Sequence, residues 1–103
     1  MNLPLRIGIA GLGSVGAGVL EVLGCHQDQL AERAGRSIIV TAVSARDKSR
    51  DRGIDMSGLT WYEDARQLAR DDSLDVVVEL IGGQRGVAKA LVEEAIKAGK
   101  HVV

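Results

Sequence analysis

Apolar residues along this chain form two alternating patterns, short continuous runs and stripes with a spacing of three or four residues. Continuous runs are typical of strands buried on both faces of a parallel sheet, and they occur at 6–10, 37–44, 60–62, 75–81 and 101–103. Stripes are typical of amphipathic helices, and they occur at 14–34, 64–70 and 86–98. The alternation predicts an α/β fold, a Rossmann-type doubly wound parallel sheet with strand order 3-2-1-4-5.

The first predicted helix is expected to be continuous and to end at a glycine. Its apolar stripe consists of Val15, Val19, Val22, Leu23, His26 and Leu30. Gly35 follows the last helical residue, as a C-terminal cap does. Asp64 is expected to cap the second helix, because its carboxylate would accept hydrogen bonds from amides of the first turn.

The length and composition are those of one folded domain. The 103 residues are 46% hydrophobic and 26% charged, which suffices for one core. We therefore expect residues 1–103 to form one domain. Because a domain rarely ends inside a buried strand, and this chain stops at Val103, we expect the domain to be incomplete and truncated at its fifth strand.

Charge and apolar run length argue against nucleic-acid and membrane partners. The net charge is −1, with 13 basic and 14 acidic residues, so the chain lacks the basic field that non-specific nucleic-acid binding requires. No apolar run approaches the ~20 residues of a membrane span, and none resembles a signal peptide. The single cysteine, Cys25, cannot form an internal disulfide. These features favour a cytoplasmic protein without a metal site.

The first predicted strand is followed by a G-x-G-x-x-G motif that opens the first predicted helix. The motif consists of Gly11, Leu12, Gly13, Ser14, Val15 and Gly16. In a βαβ unit its first glycine permits a tight turn, its second the approach of a pyrophosphate, and its third close helix packing. The phosphates are expected to lie on free amides of the first helical turn. We therefore predict a dinucleotide site at these residues, with a structural turn without ligand as the alternative.

The end of the second predicted strand bears on which dinucleotide is bound. Enzymes that prefer NAD usually place Asp or Glu there to bind the ribose 2′-hydroxyl, whereas this chain has Ser44, Ala45 and Arg46. The guanidinium of Arg46 would pair with a 2′-phosphate, which favours NADP. Asp47 would be the ribose-binding acid if the register differed by one residue, which leaves NAD open. A solvated loop of mixed charge is the third interpretation.

The loop after the fourth predicted strand is expected beside the glycine motif, because ligands of open α/β sheets bind at that point. Ile81, Gly82 and Gly83 form this loop, and the two glycines would let its backbone approach a cofactor. An ordinary strand-to-helix turn is the alternative. Glu79, within the apolar strand, is either a buried, paired carboxylate or a residue at the sheet edge, and we assign it no chemistry.

Four segments in order along the chain together resemble bacterial homoserine dehydrogenases. They are 5–19, 43–47 with 51–53, 75–83, and 98–103. Ser14 stands where the family usually has Thr, and Gly86-Val87 stands where many members have Glu-Pro. The resemblance extends over essentially the whole chain. It implies an NAD(P)-dependent oxidoreductase that reduces aspartate semialdehyde to homoserine in threonine, methionine and isoleucine synthesis.

The resemblance also implies which residues contact the cofactor and which functional parts of the family this chain lacks. Implied cofactor contacts come from Leu12, Gly13, Ser14, Val15, Arg46, Ile81, Gly82 and Gly83. The family's substrate-binding acid, catalytic lysines, metal-binding loop and dimerisation segment come after the part that this chain resembles. We therefore expect no catalytic residue in this chain, no activity of the chain alone, and a homo-oligomer for the full-length protein.

Two other functions are alternatives at this point. Sugar oxidoreductases also combine a glycine loop with a Gly-Lys-His-Val strand, like that at 99–102, and usually continue it with Glu-Lys-Pro. A non-enzymatic nucleotide-sensing module is the second alternative. A chain that ends within a strand argues against a finished regulatory domain.

Overall fold

The computed structural model describes residues 3–45, 58–81 and 86–103. Its elements are β1 Leu5–Ala10, α1 Ser14–Cys25, α2 Gln27–Ala34, β2 Ile38–Ser44, β3 Thr60–Tyr62, α3 Arg66–Ala69, β4 Val76–Glu79, α4 Val87–Lys97 and β5 His101–Val102. The strands form one parallel sheet in the order β3-β2-β1-β4-β5. The predicted fold class and strand order are therefore confirmed.

The sheet is covered on both faces, and successive residues of β1 belong to different clusters of buried side chains. On one face Ala10 packs in a cluster with Leu68 of α3 and Leu91 of α4. On the other face Ile9 packs in a cluster with Leu20 of α1. Because neighbouring residues of a strand point to opposite faces, a strand buried on both sides needs apolar residues at consecutive positions.

The first predicted helix is interrupted. The prediction of one helix over 14–34 is wrong, because the chain leaves helical geometry at His26, with φ −115° and ψ 26°, between α1 and α2. The predicted stripe is also wrong in part: Val22 and His26 are exposed, whereas Leu20 is buried. No residue of α2 is fully buried.

Of the two predicted helix ends, the structure confirms the one at Gly35 and moves the one at Asp64 by one residue. Arg66 N donates to Asp64 Oδ1 at 3.0 Å, and Asp64 N donates to Gln67 Oε1 at 3.2 Å. This reciprocal pair closes the turn before α3, but the N-cap residue of the helix is Ala65 and forms no side-chain cap hydrogen bond, so the predicted cap at Asp64 is wrong by one residue. Gly35 ends α2 in the left-handed region, with φ 76°, and its N–H donates to Ala31 O.

Strand β4 is shorter than predicted. It covers Val76–Glu79, whereas the apolar run predicted a strand over 75–81. Its pairing with β1 continues for one further bond, from Leu80 N to Ala10 O at 2.8 Å. Just before the strand, Asp75 Oδ2 accepts a hydrogen bond from Arg6 N at 2.9 Å. A side-chain carboxylate thus extends the contact between β4 and β1 at the amino end of the strand.

Candidate functional site

The glycine motif lies at the carboxyl end of the sheet, where β1 continues into α1 between the ends of β2 and β4. Gly11 N donates to Ser44 O, at the end of β2, over 2.8 Å. Leu80, just beyond β4, donates its N–H to Ala10 O, also over 2.8 Å. These two bonds attach the start of the motif to the ends of three adjacent strands.

Gly11 packs directly on the peptide group that follows β4. A Cβ at Gly11 would lie 2.8 Å from the carbonyl carbon and oxygen of Leu80, and 2.9 Å from Ile81 N. Its φ of +98° is in addition a conformation that favours glycine. Any side chain at this position would therefore separate the glycine motif from the end of β4.

Gly16 lies against Gly11. A Cβ at Gly16 would collide with the Gly11 carbonyl oxygen and lie 3.0 Å from its carbonyl carbon. The first turn of α1 therefore packs on the turn that ends β1. This contact is the close helix packing that the motif requires of its third glycine.

Gly13 has a different environment from Gly11 and Gly16. It is exposed, its φ of −73° is open to any residue, and an added Cβ would meet nothing within 4 Å. Internal packing in the described part of the chain does not require glycine here. A glycine with open space above it fits a position where a ligand approaches the backbone.

The first turn of α1 presents backbone N–H groups toward this space. Gly13 is the N-cap residue, no side-chain cap hydrogen bond forms, and the first turn contains no acidic residue. Ser14 and Val15 are the first two residues of the helix, where N–H groups have no intrahelical acceptor. The positive end of the helix dipole favours an anion there. Leu12 is only 3% exposed and anchors the loop in the core beside Ile9.

The structure describes only some of the other predicted contacts. Ile81 is 38% exposed, follows the peptide that packs on Gly11, and donates its N–H to Glu79 Oε1 at 2.8 Å. Among the three loop residues predicted to contact the cofactor, Ile81 is the one that the structure describes, and its backbone lies beside the glycine motif. The other residues named for this site lie outside the described residues: Arg46, Asp47, Gly82 and Gly83.

Sequence reasoning assigned no role to two residues that shape this site. Ser44 is 4% exposed, and its carbonyl oxygen accepts the Gly11 N–H. Glu79 is half-buried and accepts the Ile81 N–H, which agrees with its interpretation as a paired carboxylate. The available signal was a polar residue at the end of an apolar run for Ser44 and a charged residue within one for Glu79.

A separate group of polar side chains ties β3 to the segment before β4. Tyr62 donates its hydroxyl proton to Asp71 Oδ2 at 2.8 Å, and this hydrogen bond raises the pKa of Tyr62. Burial alone would raise the pKa of Asp71, but hydrogen bonds from Ser73 and Tyr62 outweigh it and hold that pKa below its usual value. The group includes no residue of the glycine motif.

A cleft of about 340 Å³ lies at the opposite, amino end of the sheet. It is lined by Leu5, Arg36, Asp72, Leu74, Asp75, Ala98, Gly99, Lys100 and His101. Two of its charged groups bond to the protein's own backbone. Arg36 Nε donates to Leu3 O at 2.8 Å, and Asp75 accepts the Arg6 N–H.

Residues 3–45, 58–81 and 86–103 contain neither a cluster of metal-ligating side chains nor a helix that could span a membrane. No three His, Cys, Asp or Glu side chains in these ranges lie close enough together to hold a metal ion. None of the helices described there is long and apolar enough to cross a membrane. Cys25 is a free, exposed thiol at the end of α1.

Comparison with known proteins points to one enzyme family. Residues 11–103 match the family described as homoserine dehydrogenase, NAD binding domain. The chain is 42% identical over 100 residues to a homoserine dehydrogenase of Methylobacillus glycogenes. The aligned residues make up 97% of this chain and 24% of that relative. The chain thus spans about a quarter of the length of the curated relatives it matches.

Solved structures of homoserine dehydrogenases share the fold. The structure from Thiobacillus denitrificans has a TM-score of 0.87 at 38% identity, covering 97% of this chain and 23% of that one. A structure from S. aureus has a TM-score of 0.85 at 33% identity, covering 97% and 25%.

Proposed function

Since the chain belongs to the family of homoserine dehydrogenase NAD-binding domains, we propose that it is the cofactor-binding portion of a homoserine dehydrogenase. The full-length enzyme would interconvert L-homoserine and L-aspartate 4-semialdehyde, as the nicotinamide dinucleotide accepts or donates the hydride. Residues 1–103 would form an incomplete Rossmann domain. The reaction would serve threonine, methionine and isoleucine synthesis in the cytoplasm, without nucleic-acid or membrane partners.

The observation that carries this proposal is the geometry of the glycine motif. Gly11 and Gly16 are packed so closely that a side chain at either would collide with backbone, whereas Gly13 faces open space at the amino end of α1. The N–H groups of Gly13, Ser14 and Val15 would bind the pyrophosphate, and Leu12 would hold the loop in place. Contacts from Ile81, Gly82 and Gly83 would complete the side of the site next to β4.

We further propose that the preferred cofactor is NADP. Ser44 occupies the end of β2 where NAD enzymes usually place a carboxylate, and its buried backbone carbonyl bonds to Gly11. The guanidinium of Arg46, two residues later, would then bind the 2′-phosphate. NAD would bind at the same site without this charge pair.

No residue of this chain is assigned to the chemical step. The substrate site, the catalytic residues and the contacts of a homo-oligomer belong to the other three quarters of the family's length. We therefore expect the chain alone to bind NADPH weakly and to reduce no aspartate semialdehyde. Measurable turnover by the chain would contradict this division of roles.

Titration calorimetry with NADPH and NADH tests the cofactor assignment. Arg46→Ala should lower the affinity for NADPH about 10-fold, since one charge-assisted hydrogen bond is lost. The affinity for NADH should stay nearly unchanged. Arg33→Ala is the matched control, because Arg33 is an exposed arginine on α2, and it should change neither affinity. Equal losses for both cofactors after Arg46→Ala would remove the assignment of this residue.

A further inference from the structure

We propose that Glu79 is a positioning residue for the cofactor's nicotinamide half, because its carboxylate holds the Leu80–Ile81 peptide against Gly11. The proposal rests on the proposed function and extends it to a residue outside the glycine motif. Glu79 would touch neither cofactor nor substrate. It would act through the backbone that it holds.

The first step in the argument is the position of Glu79. It is the last residue of β4 and is paired in register with Ala10, the last residue of β1. The residue after Ala10 is Gly11, where the glycine motif starts. Glu79 therefore stands beside the start of the motif, on the side away from β2.

The second step is the turn that Glu79 stabilises. Leu80 N donates to Ala10 O, one residue beyond the end of β4. The next amide, that of Ile81, donates to Glu79 Oε1 at 2.8 Å. A carboxylate acceptor makes this bond charge-assisted, and such bonds are stronger than those between neutral groups. The Glu79 side chain thus provides the acceptor for the amide that follows the Leu80–Ala10 pairing.

The third step is the contact between this turn and the motif. The Leu80–Ile81 peptide is the group that a Cβ on Gly11 would strike, at 2.8 to 2.9 Å. Gly11 in turn supports the first turn of α1 through its contact with Gly16. A shift of the peptide would therefore be passed to the glycine motif by direct packing.

The fourth step is which half of the cofactor is affected. The adenosine ribose lies at the end of β2 in this type of fold, and the pyrophosphate lies at the start of α1. The nicotinamide half consequently extends toward the end of β4, where Glu79 holds the backbone. Loss of the Glu79 hydrogen bond should lower the affinity for ligands that extend to the end of β4. The affinity for ligands confined to the end of β2 should not change.

Two variants of nearly the same size separate the hydrogen bond from mere bulk. Glu79→Met keeps the length of the side chain and suits an apolar strand, but it offers no strong acceptor to Ile81 N. Glu79→Gln keeps an acceptor oxygen and removes the charge. We expect the Gln variant to resemble the unmodified chain and the Met variant to differ from it.

The measurement is titration calorimetry of each chain with NADPH and with adenosine 2′-monophosphate, which has the adenosine side of the cofactor without a phosphate of the pyrophosphate. Glu79→Met should lower the affinity for NADPH about 5- to 20-fold, as expected for a partly exposed charge-assisted bond. The affinity of this variant for adenosine 2′-monophosphate should change less than about 2-fold, within the usual effect of a distant surface change. Hydrogen exchange at the Ile81 amide should be faster in the Met variant only.

Each remaining outcome overturns a specific statement. Unchanged NADPH affinity in Glu79→Met, or equal losses for both ligands, would overturn the positioning role. If Glu79→Gln lowered the affinity for NADPH as much as Glu79→Met, the role of the acceptor oxygen would be overturned. If the unmodified chain bound neither ligand, the proposed function would fail and this inference with it. If it bound both and only the Met result were negative, the inference alone would fail.

Discussion

At the carboxyl end of the sheet the candidate site is made of backbone, whereas the cleft at the amino end is lined with charged side chains. The carboxyl end brings together Gly11, Gly13 and Gly16 at the start of an uncapped helix. The amino end has a cleft of about 340 Å³, with Arg36 and Asp75 among its lining residues. Both of these charged groups are already bonded to backbone atoms of the same chain.

The comparison teaches that charge around a cleft is a poor guide to a ligand site where the charged groups are already bonded to the chain. Charges that bond to their own backbone contribute to folding and have less capacity left for a ligand. The first-turn amides of α1 have no side-chain cap, and the space above Gly13 is open. Unused hydrogen-bonding capacity beside open space favours the carboxyl end.

The largest expected effect concerns the open glycine. Gly13→Val should lower NADPH affinity more than about 100-fold, because a branched side chain would block at least two amide–phosphate hydrogen bonds. The fold should persist, since an added Cβ at Gly13 meets nothing within 4 Å. Calorimetric titration beside a circular dichroism spectrum measures both.

Two controls make the Gly13 experiment a test of the comparison. Gly24→Val makes the same change on the exposed side of α1 and should leave NADPH affinity unaltered. Lys100→Gln removes a cation from the cleft at the amino end and should also leave it unaltered. A folded Gly13→Val chain with normal affinity, or a strong loss in Lys100→Gln, would move the cofactor site away from the glycine motif.

A smaller effect is expected where the motif packs on itself. Gly16→Ala should lower the free energy of unfolding by about 1–3 kcal/mol, because its Cβ would collide with the Gly11 carbonyl oxygen. Gly18→Ala, also in α1 but with open space around the added Cβ, should instead raise stability by up to ~1 kcal/mol through helix propensity. Urea unfolding followed by fluorescence of Trp61, the single tryptophan, measures both. Effects of the same sign would contradict the tight contact between α1 and β1.

The smallest effect should separate stability from binding at the amino end. Asp75→Ala removes the acceptor of the Arg6 N–H and should cost about 0.5–1.5 kcal/mol of unfolding free energy. NADPH affinity should stay the same within error, because the residue lies at the far end of β4. Asp72→Ala, an exposed acid in the same cleft, should change stability by less than about 0.5 kcal/mol. A drop in NADPH affinity after Asp75→Ala would show that the two ends of the sheet are coupled.

The sequence alone determined the strand order and the place of the glycine motif. Consecutive apolar residues such as those of β1 are needed when both faces of a strand are covered, and right-handed crossovers leave few topologies for such strands. The motif was recognisable because it stands between a buried strand and a helix. Both features depend on local pattern and on general rules of chain geometry, which a sequence carries in full.

Only the tertiary structure decided how the site is held together. The break at His26 appears only in the backbone geometry, because the apolar pattern predicted a continuous stripe there. The use of Ser44 O by Gly11, and of Glu79 by Ile81, depends on atoms that meet only when three strands end side by side. Sequence spacing carries no record of such distances, because they are set by how β1, β2 and β4 pair and by where each strand stops.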